Sequence, residues 1–190
     1  MEVDKQDMVV QIISGFRGSG KTTFLNQCIE QIKGKTAVIE NDFGAQVVDR
    51  ENVEGSLIYE EIGEGCICCG MALEFEEKMR RIAMEDCPDR IFIEASGFGK
   101  LSDVVKVCTQ LQEKEHLEMV IGPNVTVVDI GMVEAYASGL GEFYVDQIEH
   151  ADVILVNHID LDDVEENKIK VKELTYIDDD EKCHIGQEVV

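Results

Sequence analysis

A single eight-residue stretch limits the folds open to this chain more than any other feature. Gly15-Phe16-Arg17-Gly18-Ser19-Gly20-Lys21-Thr22 matches the pattern GxxxxGK[ST]. The glycines let backbone N–H groups converge on the β- and γ-phosphates of a nucleotide, where a Cβ would obstruct them. Such a loop needs a strand before it and a helix N-terminus after it, because the positive end of the helix dipole faces the phosphates. Both flanks comply. Residues 8–14 form an apolar run, and 22–33 carries Leu25, Cys28, Ile29 and Ile32 at helical spacing. Gly15, Gly18, Ser19, Gly20, Lys21, Thr22 and Thr23 are therefore candidate nucleotide-binding residues. Lys21 is expected to neutralise the phosphates and the Thr22 hydroxyl to coordinate Mg²⁺.

The rest of the chain repeats the strand–helix alternation. Apolar runs at 36–40, 90–96, 125–130 and 151–157 read as buried strands, continuous rather than alternating. That is the pattern of a parallel sheet covered on both faces. Helices are predicted at 71–85, at 100–116 and within 133–147. Repeated β-α units predict a doubly wound α/β fold of three layers, with ligands at the carboxyl ends of its strands. The 190 residues fit one domain. Residues 160–166 offer one more helix, and 176–190 a final strand or a loose tail.

Two further motifs complete a nucleotide site. Ile91-Phe92-Ile93-Glu94 is an apolar strand ending in the carboxylate that a Mg²⁺ shell requires. Lys21, Thr22 and Glu94 are the candidate catalytic residues, and Gly97 is expected to let backbone approach the γ-phosphate. Asn157-His158-Ile159-Asp160 follows the last strong strand and resembles the guanine-reading pattern NKxD. A carboxylate at Asp160 can accept from both N1–H and the exocyclic amine of guanine, a donor pair that adenine lacks. His158 stands where Lys is usual, and its imidazole can stack on the base instead.

Cys66-Ile67-Cys68-Cys69 lies between Gly65 and Gly70. Three thiols in four residues cannot share one face of a strand, but they can converge in a loop. They suit a soft ion such as Zn²⁺ or Cu⁺, and tetrahedral Zn²⁺ would need a fourth ligand or keep an exchangeable position. Redox-reactive or simply buried cysteine is the alternative. Cys28 and Cys108 are expected in the core, Cys87 in a turn before Pro88, and His116 and His150 near helix ends. Cys183-His184 is a weaker soft pair. The net charge of −23 argues against nucleic-acid and anionic-membrane partners. No apolar stretch is long enough for a span and 1–7 is charged, so a cytoplasmic location is expected.

Taken in order, these motifs closely resemble the CobW-type family of GTPases, grouped with the HypB and UreG metallochaperones. Its members typically read GFxGxGKTT, NExG, GCxCC, ExxG and NKxD. This chain shows 15–23, Asn41-Asp42-Phe43-Gly44, 65–69, 94–97 and 157–160 at those places. The resemblance covers about residues 8–160. It implies slow GTP hydrolysis (GTP and GDP with Mg²⁺) coupled to delivery of a transition metal, often Zn²⁺. It makes Cys66, Cys68 and Cys69 the metal ligands and Asp42 a candidate fourth ligand or switch residue. It also implies a nucleotide-dependent homodimer, and a C-terminal domain that is not found in these 190 residues. Arg17 replaces an apolar residue. It is expected to pair with a surface carboxylate, the alternative being stabilisation of transition-state charge. The hydrolytic base stays open among Glu94, Asp42 and a backbone-held water.

Two functions follow. The first is a metallochaperone or assembly factor for a client metalloprotein. The second is a nucleotide-driven switch that remodels or reactivates a cobalamin- or corrinoid-dependent partner, with structural or redox cysteines. A small-molecule kinase is disfavoured by the guanine-type loop.

Overall fold

In the computed structural model the described residues are 7–41, 55–63, 67–139, 141–158 and 183–184. The elements, in chain order, are β1 (Met8–Ser14), α1 (Lys21–Gln31), β2 (Gly34–Glu40), β3 (Gly55–Glu61), α2 (Ala72–Arg81), β4 (Arg90–Glu94), α3 (Leu101–Glu115), β5 (Met119–Ile121), β6 (Val125–Asp129), α4 (Val133–Gly139), α5 (Gly141–Glu149), β7 (Val153–Asn157) and β8 (Cys183–His184). The strands form one sheet in the order β3-β2-β4-β1-β6-β7-β8, with β5 also paired to β1. Every strand pairing among the described residues is parallel. The α/β reading is borne out.

Continuous apolar strands arise because both faces of the sheet are buried. Ile12 joins one apolar cluster and its neighbour Ile13 the other. Phe92 faces the α1 side with Leu25 and Ile29, while Ile91 and Ile93 face the side of α2 and α3 with Phe75 and Met79. Phe92 is among the largest fully buried side chains. Phe92→Ala is expected to cost about 3–5 kcal/mol of stability. Urea denaturation of the two proteins would measure it; a loss under about 1 kcal/mol would mean that this face tolerates a cavity.

The predicted strands are present with shifted ends. β2 begins two residues earlier, at Gly34, and β4 stops at Glu94 rather than 96. β6 ends at Asp129, whose side chain caps the following 3₁₀ turn, and β7 starts at Val153. Helical residues fill the stretch expected within 133–147, as α4 up to Gly139 and α5 from Gly141, with residue 140 outside the described residues. Irregular helical turns extend α2 at both ends, Ile67–Met71 and Ile82–Asp86. β3 and β5 were not anticipated. Among the described residues β3 is an edge strand paired to β2 alone, so it lacks the all-apolar run that marks its neighbours. β5 has three residues and extends the line of β6 along β1. The suggested helix at 160–166 lies outside the described residues. Within 176–190 only β8 is described, in parallel pairing with β7. No helix among the described residues is long and apolar enough to cross a membrane.

Candidate nucleotide site

β1, β4, β6 and β7 lie side by side in the sheet, and their carboxyl ends bring the predicted residues together. Lys21 and Thr22 open α1 and are almost fully buried. Lys21 Nζ donates to the Phe16 carbonyl at 3.2 Å, so the ammonium lies under its own loop. Thr22 Oγ1 donates to Glu94 Oε1 at 2.7 Å. Glu94 has no solvent exposure at all. A hydroxyl and a buried carboxylate in contact are the hard oxygen ligands that Mg²⁺ takes, so the residues present fit that ion. Thr23 is half-buried in the same turn, Gly15 is buried, and Gly18 sits exposed at the loop tip.

Asn157, the residue of the 157–160 motif expected to position the loop, is seen on a defined partner. Its Nδ2 donates to the Ser19 carbonyl at 2.9 Å, clamping the end of β7 onto the phosphate loop. Gly20 explains why no side chain is tolerated there. Its φ is +103°, and an added Cβ would lie 2.5 Å from Asn157 Nδ2. Gly97 is also a close approach, but to protein. A Cβ there would lie 2.8 Å from the Arg17 backbone nitrogen. The segment after β4 is thus packed directly on the phosphate loop.

His158 adopts a left-handed backbone, φ +59°, uncommon for a residue with a side chain. Its Nδ1 lies 3.0 Å from Asp129 Oδ2, while Asp129 Oδ1 accepts from the Gly131 backbone at 3.0 Å. Asp129 therefore orients the imidazole, a partner that sequence reading missed; the only sign was a carboxylate closing the Val-Val-Asp strand. Gln147 was missed as well. It is completely buried, and its sign was a polar residue on the apolar face of α5, between Tyr144 and Ile148.

A family described as CobW/HypB/UreG, nucleotide-binding domain, matches residues 9–182. The chain belongs to this family. It is 29% identical over 214 residues to zinc-regulated GTPase metalloprotein activator 1 of Dictyostelium discoideum, spanning 88% of this chain and 43% of that protein. It is 29% identical over 184 residues to the zinc chaperone CobW of Sinorhizobium sp, spanning 80% and 51%. The chain therefore spans about half the length of these relatives. Its fold matches the zinc-bound crystal structure of the YjiA GTPase from E. coli with a TM-score of 0.61 and 22% identity, covering 87% of this chain and 54% of that one.

The cysteine motif of this CobW/HypB/UreG domain is only partly in view. Asp42, Cys66 and Asp160 lie outside the described residues. Cys68 and Cys69 lie on the turn Ile67–Met71 that leads into α2. Among the described residues no three His, Cys, Asp or Glu side chains are grouped to hold a metal ion. Cys108 and Cys87 sort as expected, whereas Cys28 only packs against the edge of the core. Cys108 is buried, and burial pushes its thiol up to about 12, which leaves it protonated and inert. Cys28 is half-buried, and desolvation raises it too, against the pull of Arg90. Cys87 is exposed in its turn, and its Sγ donates to the Met84 carbonyl at 3.5 Å. His116 ends α3 and His150 follows α5. Arg17 is exposed on the phosphate loop, and among the described residues it pairs with no carboxylate. The surface ion pair expected for it is not among these contacts.

Proposed function

We infer that this chain binds GTP, hydrolyses it slowly, and couples its nucleotide state to a transition metal, foremost Zn²⁺, held by Cys66, Cys68 and Cys69, with Asp42 as a candidate fourth ligand. The contact between Thr22 and Glu94, with Asn157 clamped on Ser19, carries the reading: three motifs far apart in sequence meet at one end of the sheet. That the relatives are described as a zinc chaperone and a zinc-regulated activator supports the metal half.

The chemistry asks little covalent work of the protein. The loop 15–20 presents backbone N–H groups to the phosphates, and Lys21 exchanges its carbonyl contact for phosphate oxygen. Thr22 and Glu94 would hold Mg²⁺, which supplies charge neutralisation on the phosphate oxygens when bound. Gly97, against the phosphate loop, reports the γ-phosphate. Asp160 reads guanine, and His158, steered by Asp129, stacks on the base. The metal is cargo. If loss of the γ-phosphate moves even one thiolate, metal affinity changes, and by linkage the metal shifts nucleotide affinity by the same factor. The recipient is a client metalloprotein in the cytoplasm, reached by a monomer or a nucleotide-dependent homodimer.

A Co²⁺ titration of the reduced protein tests the coupling through thiolate-to-metal charge-transfer absorption. Intense absorption whose midpoint differs between GTP, GDP and no nucleotide is the expected result. Absorption indifferent to nucleotide would make the metal structural and favour the nucleotide-driven switch on a corrinoid-dependent partner. No thiolate absorption would remove the metal from the account.

A further inference from the structure

We propose that Gln147 is the positioning residue that sets the segment Gly97-Phe98-Gly99 against the phosphate loop, so that its carboxamide governs response to the γ-phosphate. The proposal rests on the GTP-hydrolysing reading above. Gln147 Nε2 donates to the Gly97 carbonyl at 3.2 Å and to the Gly99 carbonyl at 2.7 Å. Both amide hydrogens are thereby used on the two sides of Phe98. The orientation of the amide is dictated chemically, because the opposite flip would aim Oε1 at two carbonyl oxygens. Oε1 is buried and has no hydrogen-bond partner among the described residues. Burying an unfilled acceptor is unfavourable. Leucine would fill the same helical position without that cost, so the amide earns its place through its two donor bonds.

Besides Gln147, the segment is held by a turn in which the Gly99 N–H donates to the Ser96 carbonyl at 2.9 Å, and by few side-chain contacts. Phe98 is 56% exposed and meets Phe16 only edge-on, with ring centroids 6.0 Å apart. Gly97 and Gly99 have no side chains to anchor. On the other side, Gly97 is pressed on the Arg17 backbone. The Ser96–Gly99 turn fixes the local shape of this segment, and its placement against the phosphate loop is set from the other side by the Gln147 carboxamide. Other contacts from α5 are weaker or further along. Lys100 reaches Glu142 at 2.9 Å, but Glu142 is mostly exposed, and such pairs contribute little. Asp146 accepts from the Ser102 backbone and hydroxyl, which fixes the start of α3. Gln147 is itself pinned, since its backbone carbonyl accepts from Thr126 Oγ1 at 2.6 Å. A movement of Gly97 must either break the carboxamide bonds or drag α5.

The test compares wild type with Gln147→Met, which keeps volume without donors, and Gln147→Glu, which keeps shape. For the Met variant GDP affinity should stay within about twofold, while GTP turnover falls about tenfold to a hundredfold, as a misplaced group does. The Glu variant points a carboxylate at two carbonyls, so burial raises its pKa and its protonated form regains one donor. Its turnover relative to wild type should rise between about pH 8 and about pH 6, whereas the Met variant should show no such recovery. Unchanged turnover in a folded Met variant, or equal losses of GTP and GDP affinity, overturns the proposal. A wild type that does not hydrolyse GTP overturns instead the reading it rests on. If neither variant folds, the wild type decides. The Gln147 side-chain amide resonances should shift between GDP and a non-hydrolysable GTP analogue, and unshifted resonances overturn the assignment.

Discussion

Glu94→Gln should lower GTP turnover about 100- to 1,000-fold and raise the Mg²⁺ concentration needed for what remains. The side chain is fully buried with Oε1 2.7 Å from the Thr22 hydroxyl. The amide keeps that shape and can still accept from Thr22. It removes the negative charge and turns an NH₂ group toward the cation that Glu94 would hold, which is repulsive. Folding should survive, since the amide keeps the shape of the carboxylate and its oxygen can still accept from the Thr22 hydroxyl. Phosphate release measured across a Mg²⁺ titration checks this. A variant with wild-type rate and wild-type Mg²⁺ requirement would remove Glu94 from the ion's shell and leave Asp42 or a backbone-held water as the group to examine.

The second large effect concerns the thiols. The combined change Cys66→Ser, Cys68→Ser and Cys69→Ser should weaken Zn²⁺ and Co²⁺ binding by several orders of magnitude and abolish any metal effect on GTP turnover. GTP binding should remain, because the phosphate loop, Glu94 and Asn157 lie on other elements. Serine preserves size but is a hard, protonated ligand at neutral pH, ill suited to a soft ion. The same logic sets the pH dependence in the unmodified protein. A thiol must lose its proton to bind metal, so affinity should fall as pH drops below the ordinary cysteine range, with protons released on binding. Competition with a chelator of known affinity at several pH values measures both. A triple variant that keeps the full metal response would place the metal elsewhere, and buried, protonated Cys108 would remain a poor candidate for it.

The strands that sequence reading found are those buried on both faces, where β-branched residues run without interruption, as in Val38-Ile39 or Ile91-Phe92-Ile93. β3 escaped because an edge strand packs loosely and carries Glu60 and Glu61. Glu60 pairs with Lys78 and Arg81 of α2, so this acid joins an ion-pair network rather than marking a loop. Residue types alone do not tell these apart. Gln147 was passed over for a related reason: an amphipathic helix with one glutamine reads as ordinary until its amide is seen on two carbonyls.

What the amino-acid order settled by itself was local. Eight consecutive residues between an apolar run and a helical pattern specify a phosphate loop, because covalent spacing already holds those backbone groups together. The alternation of runs and helices likewise settled the fold class. Which polar groups meet was decided only in three dimensions. Thr22 and Glu94 are 72 residues apart, Ser19 and Asn157 are 138, and Gly97 and Gln147 are 50. Burial makes some partner obligatory for each of them, since an unmet polar group is costly away from water. The partner's identity depends on strand order and register, and these are set by packing the two faces of the sheet.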